Sequence, residues 1–193
     1  MELPPLLEKH LLWLVRLSRR RGFGLQSPFA YNLVTRVVHE RGEYYAYGEL
    51  AGRRVGATLP ERDDRLLLRL ANDFQPRCCL LLGGVAAVTR SYLQAGCAAC
   101  QFSDTPGSDG LQPDMLLALP GGTDSATLAA ALAVLAPRSL IVLPGIRDSV
   151  HGRALWRQVL AHPACRTSFD FCIHGIAYTD SRLTPAHYVV SFP

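Results

Sequence analysis

Three short runs of uninterrupted apolar residues, each closed by glycine or proline, constrain this chain more than any other feature. They are Cys78-Cys79-Leu80-Leu81-Leu82 before Gly83-Gly84, Met115-Leu116-Leu117-Ala118-Leu119 before Pro120-Gly121-Gly122, and Leu140-Ile141-Val142-Leu143 before Pro144-Gly145. A strand apolar at every position is buried on both faces, which happens when helices cover a parallel sheet on both sides. Helical patterns lie between and before the runs, over Glu61 to Phe74, Asp124 to Leu135 and Ser149 to Leu160. Strand, glycine turn and helix in repetition is the grammar of an open α/β sheet. The C-terminal segments Phe169 to Ile173 and His187 to Phe192 have no long helix between them. They are expected to pair antiparallel at the sheet edge.

The first 60 residues read as a helical extension packed on this sheet domain, which takes residues 61–193. Leu6, Leu7, His10, Leu11, Leu14 and Leu17 recur at helical spacing over about 5–20. Gly22 and Gly24 end that helix, and Ser27 with Pro28 opens a second one through about His39. Tyr44, Tyr45 and Tyr47 follow as an aromatic group in the linker, suited to packing or to a lid.

A chain of 193 residues, 49% apolar and 19% charged, buries a core without disulfides or metals. It has no apolar run of the roughly 20 residues that span a bilayer and no leader pattern at Met1-Glu2-Leu3-Pro4-Pro5, so the expected location is the cytoplasm. The net charge of +4 falls within residues 1–54, with Arg19, Arg20 and Arg21 at its centre. That suits a solvated helix face or a contact for a protein partner; the absence of basic and aromatic alternation argues against nucleic acid. Of the six cysteines, Cys78 and Cys79 read as small strand hydrophobes, while Cys97-Ala98-Ala99-Cys100 leaves buried, redox and half-zinc readings open.

Ligands of an open α/β sheet sit beyond the C-terminal ends of its strands. Gly83 and Gly84 would let backbone approach a ligand there, and Asp104 would reach a ribose hydroxyl if residues 98–103 form a strand. Neither a GxGxxG nor a P-loop pattern is present. Asp124 suits a helix cap, and Asp148 or Ser149 the cap of the next helix. His151, near a strand end, is the expected site of proton transfer, with His174 next.

Four further stretches stand out: Gly22-Phe23-Gly24-Leu25-Gln26-Ser27-Pro28-Phe29, Tyr44-Tyr45-Ala46-Tyr47, Phe74-Gln75-Pro76 and the tail from Trp156 to Phe192. In their order and spacing the chain resembles class I S-adenosylmethionine-dependent methyltransferase-like proteins of the small O-methyltransferase type, and within them a group common in Bacteroidetes, whose GHGIHSPF is similar to the first stretch. The resemblance implies a Rossmann-like, mostly parallel sheet, S-adenosylmethionine as cofactor at Gly83, Gly84 and Asp104, and a small-molecule hydroxyl as acceptor, with a homo-oligomer allowed. Departures from the family pattern are concentrated at ligand positions. The ELGTSxG loop here reads Leu81-Leu82-Gly83-Gly84-Val85-Ala86-Ala87, IDG is replaced by Ala118-Leu119-Pro120, and FDD by Leu143-Pro144-Gly145. These replacements imply no divalent metal, and an inactive relative acting as a binding or structural module is the alternative. The interval from Cys100 to Asp114 is too short for a helix-strand-helix unit of about 30 residues, so the sheet is expected to lack its third strand.

Overall fold

The computed structural model describes residues 25, 27–107, 110 and 112–190. The expected first helix, its glycine stop and Arg19 to Arg21 lie outside the described residues. The strands are β1 (Cys78–Leu82), β2 (Gln101–Ser103), β3 (Met115–Ala118), β4 (Leu140–Pro144), β5 (Thr167–Asp170), β6 (His174–Tyr178) and β7 (Ala186–Val189). The helices are α1 (Pro28–Asn32), which runs on as a π-helical stretch over Leu33–Val38, then α2 (Tyr45–Ala51), α3 (Glu61–Phe74), α4 (Ala87–Gly96), α5 (Ser125–Val134) and α6 (Val150–Ala161).

One seven-stranded sheet orders these strands β2-β1-β3-β4-β6-β5-β7. Its first four strands are parallel neighbours. The apolar runs are explained by the alternation of side chains across the sheet. Cys79, Leu81, Met115, Leu117, Leu140 and Val142 point to one face, under α3 and the π-helical stretch. Leu80, Leu82, Leu116, Ala118, Ile141 and Leu143 point to the other, under α5 and α6. Truncating a residue such as the fully buried Leu116 to alanine costs about 2–5 kcal/mol.

The start signal at Ser27 operates as expected: its Oγ accepts from Ala30 N, and Pro28 takes the first helical position. The helix buries Ala30, Leu33, Val34, Val37 and Val38 in the same cluster as the sheet residues of the first face. The tyrosine group forms part of α2, with Tyr47 buried and Tyr45 fully exposed.

The C-terminal pairing differs from expectation. β5 and β7, which overlap the two segments read as an antiparallel pair, run parallel, with Thr167 opposite Ala186 and Asp170 opposite Val189. The antiparallel strand is β6, between β4 and β5. Its sequence, His174-Gly175-Ile176-Ala177-Tyr178, hides the strand because burial there depends on distant partners. A Cβ on Gly175 would lie 2.5 Å from Trp156 Cε3, so only glycine admits the α6 indole. β5 turns into β6 through Cys172, whose φ is +78° and whose N–H donates to Asp170 Oδ1 at 2.8 Å. At the opposite edge β2 pairs with β1, and among the described residues between β2 and β3 no strand occurs.

Candidate ligand-binding site

The ends of β1, β3 and β4 open on a cleft of about 520 Å³. Gly83, Leu119, Pro120, Gly121, Pro144 and Gly145 form its floor. Residues 58–60, with Arg62 and Asp63 of α3, make one wall, and Asp148, Ser149 and Ile173 make the other. Gly83 has a φ of +86°, and a Cβ on it would lie 2.3 Å from the Leu119 carbonyl oxygen and 2.8 Å from Thr123 Oγ1. A Cβ on Gly122 would lie 2.7 Å from Gly83 O, so the turns after β1 and β3 pack backbone against backbone. Gly84, with a φ of +75°, is different: nothing lies within 4 Å of its Cβ position. Packing accounts for Gly83, while at Gly84 the left-handed turn leaves open space beside the backbone.

Asp104 follows β2 directly, where the sequence placed it, and accepts an ion-pair hydrogen bond from Arg90 Nη2 of α4. Its side chain is 61% exposed, so this pair contributes about 0–1 kcal/mol. His151 stands in the first turn of α6, where Nε2 donates to Thr123 O at 2.7 Å. The imidazole ties α6 to the β3–α5 connection and is absent from the cleft-lining residues. Asp124 and Ser149 cap α5 and α6 as expected, accepting from Thr127 N at 2.7 Å and Gly152 N at 2.9 Å. Gly145, with a φ of +73°, donates its N–H to Ile173 O at 2.6 Å and so binds the end of β4 to the turn before β6.

Sequence reasoning missed the pair formed by Asp63 and His174. His174 is 1% exposed and donates from Nε2 to Asp63 Oδ1 at 3.1 Å. Arg62 Nε lies 3.3 Å from the same oxygen. The neighbouring Asp64 is fully buried, accepts from Thr89 Oγ1 at 2.7 Å and pairs with Arg54. Burial pushes its carboxyl pKa up, against the lowering by Thr89 and Arg54. Arg54 also donates to Leu59 O and thereby fixes the segment that forms the outer cleft wall. The only sequence sign of this arrangement was a doubled aspartate in the first turn of an amphipathic helix, which the helix dipole explains by itself.

The apolar ends of β3 and β4 offer no carboxylate to the floor, and among the described residues no group of three or more His, Cys, Asp or Glu side chains is arranged to hold a metal ion. All six cysteines are free. Cys78 and Cys79 are buried strand residues, as read, whereas Cys97 and Cys100 occupy the turn between α4 and β2. Burial, with the nearby Cys97 next in effect, raises the Cys100 pKa to about 12, far from the thiolate character of a reactive pair.

No protein-family model and no curated protein matches the sequence. Solved structures do match its fold. The O-methyltransferase TomG from Streptomyces achromogenes, solved in complex with S-adenosylmethionine, superposes with a TM-score of 0.51 at 12% identity, over 72% of this chain and 92% of that one. A methyltransferase from Geobacter sulfurreducens gives 0.50 at 14% identity, over 69% and 86%. The chain therefore has the Rossmann-like fold of the class I methyltransferases, with a mostly parallel sheet and antiparallel pairing near its C-terminal edge.

Proposed function

We propose that this chain binds S-adenosylmethionine at Gly83, Gly84 and Asp104, and transfers its methyl group to a small-molecule hydroxyl in the adjoining cleft without a metal ion. The observation that carries this reading is the pair of consecutive left-handed glycines at the end of β1, one opening on the cleft and the other on free space. Such a turn presents backbone groups to a ligand at close range. Asp104, at the end of the neighbouring strand, supplies a carboxylate for ribose hydroxyls once Arg90 moves aside. The bound sulfonium supplies an electrophilic methyl group, so the protein's task is alignment and exclusion of water. His151 donates Nε2 to Thr123 and stands outside the cleft lining, so this reading gives it no proton-transfer step. The chain is read as a main domain of residues 61–193 with residues 1–60 as a helical extension, working in the cytoplasm. No helix among the described residues is long and apolar enough to cross a membrane.

A second reading, an inactive member of the fold acting as a binding or structural module, is favoured by the Arg90 contact on Asp104 and the apolar ends of β3 and β4. Its contact surface would be the basic segment around Arg19 to Arg21, toward a protein partner or a second copy of the chain. Isothermal titration with S-adenosylmethionine and S-adenosylhomocysteine separates the two. Dissociation constants below about 100 μM support the first reading, and silence at millimolar ligand supports the second.

A further inference from the structure

We infer that the cleft between α3 and α6 takes a small apolar molecule bearing a protonated amine, held by Asp63 Oδ2 and Asp148. This deepens the acceptor half of the proposed function and rests on it only in calling the ligand a methyl acceptor.

The walls set the body of the ligand. Leu59, Leu119, Pro120, Pro144 and Ile173 surround a volume of about 520 Å³, which suits a compact apolar molecule. The carboxylates set its head group. Asp63 is 6% exposed, and both of its described side-chain contacts, from His174 and Arg62, fall on Oδ1. Among the described residues Oδ2 has no donor, yet Asp63 lines the cleft. A carboxylate oxygen that opens on a cavity from an otherwise buried residue favours an incoming donor, and a charged donor most of all. A place in the first turn of α3 accounts for the presence of an acid, since the helix dipole favours one. It does not account for burial with one oxygen turned to a cavity.

Asp148 stands across the cleft, and among the described residues no donor meets its carboxylate. The basic groups nearby are already engaged. Arg62 lies on Asp63, Arg147 on Asp170, Arg54 on Asp64, and Arg153 reaches the Arg147 carbonyl. Two carboxylates against the single guanidinium of Arg62 leave the lining negative. An ammonium group satisfies both acids, a neutral hydroxyl satisfies one at lower strength, and a carboxylate is repelled.

The test uses the full chain and three probes of one shape: 2-phenylethylamine, 2-phenylethanol and phenylacetate, titrated by heteronuclear NMR. The amine is expected to bind most tightly, with phenylacetate weaker by about tenfold or more. Asp148→Asn, at an exposed position that leaves the fold intact, should weaken the amine by roughly threefold to tenfold. Asp63→Asn, checked for folding by circular dichroism, should weaken it by about tenfold. Phenylacetate binding as tightly as the amine overturns the inference, as does an amine affinity unchanged in Asp148→Asn or no amine binding at about 10 mM. S-adenosylhomocysteine is titrated in parallel. Amine binding without it supports this inference and removes the methyl-acceptor label; the converse overturns this inference and leaves the cofactor reading in place.

Discussion

His174 donates its Nε2 proton to Asp63 Oδ1 at 3.1 Å, joining β6 to the first turn of α3 across 111 positions of sequence. Both side chains are nearly inaccessible, so the bond between them is made away from water. Removing one partner takes from the other a buried hydrogen bond that water does not readily replace. His174→Ala should therefore destabilise the chain by about 2–3 kcal/mol in urea unfolding. In a double-mutant cycle with Asp63→Asn, the coupling should exceed about 0.5 kcal/mol. Simple additivity would mean that the imidazole matters only through its volume.

Gly83 and Gly84 should respond differently to the same change. At Gly83 a methyl group meets the Leu119 carbonyl at 2.3 Å in a backbone that already has a φ of +86°, so alanine should cost roughly 2 kcal/mol or more. At Gly84 only the left-handed φ opposes it, for roughly 1 kcal/mol. Equilibrium denaturation of the two variants checks the order. Gly84→Val, which fills the open space, should abolish S-adenosylhomocysteine binding in a chain that still folds.

The strands that could be read from sequence were those whose burial is purely apolar. β1, β3 and β4 announce themselves because each position is packed by a covering helix on one face or the other, and α3 keeps the bounds its amphipathic pattern gives. β6 was hidden because its burial rests on relationships no local window contains: Gly175 beneath Trp156, and His174 against Asp63. The same limit governed the site. Glycine turns and helix caps are local chemistry and were placed correctly, whereas Asp63 of α3 and Asp148 of the turn after β4 come to line one cleft only when α3 docks on the sheet.

Arg90 sits on the carboxylate that the cofactor reading needs. Releasing Asp104 by Arg90→Ala should tighten S-adenosylhomocysteine by roughly twofold to fivefold, the scale of an exposed ion pair. Stability should move by less than about 0.5 kcal/mol. Asp104→Asn should weaken the same ligand by about 1–3 kcal/mol. Weaker binding in Arg90→Ala would show that the guanidinium itself contacts the ligand, and would take the ribose role away from Asp104.

Asp180 offers a pH test on the far side of the sheet. Its carboxylate accepts from Arg182 N at 3.0 Å, from Arg182 Nη2 at 2.6 Å and from Arg138 Nε at 3.1 Å. Hydrogen bonding from the Arg182 side chain, against the opposing effect of burial, holds the Asp180 pKa well below the ordinary carboxylate range. A carboxylate depressed on folding contributes stability that is complete above its unfolded pKa of about 4 and is lost as pH falls toward the folded value. Asp180→Asn should thus lower Tm by roughly 2–4 °C at pH 7, and the gap from the parent chain should narrow steadily below about pH 4. Thermal melts across that range decide the matter. A gap independent of pH would assign the loss to the turn geometry at Arg182 N rather than to charge.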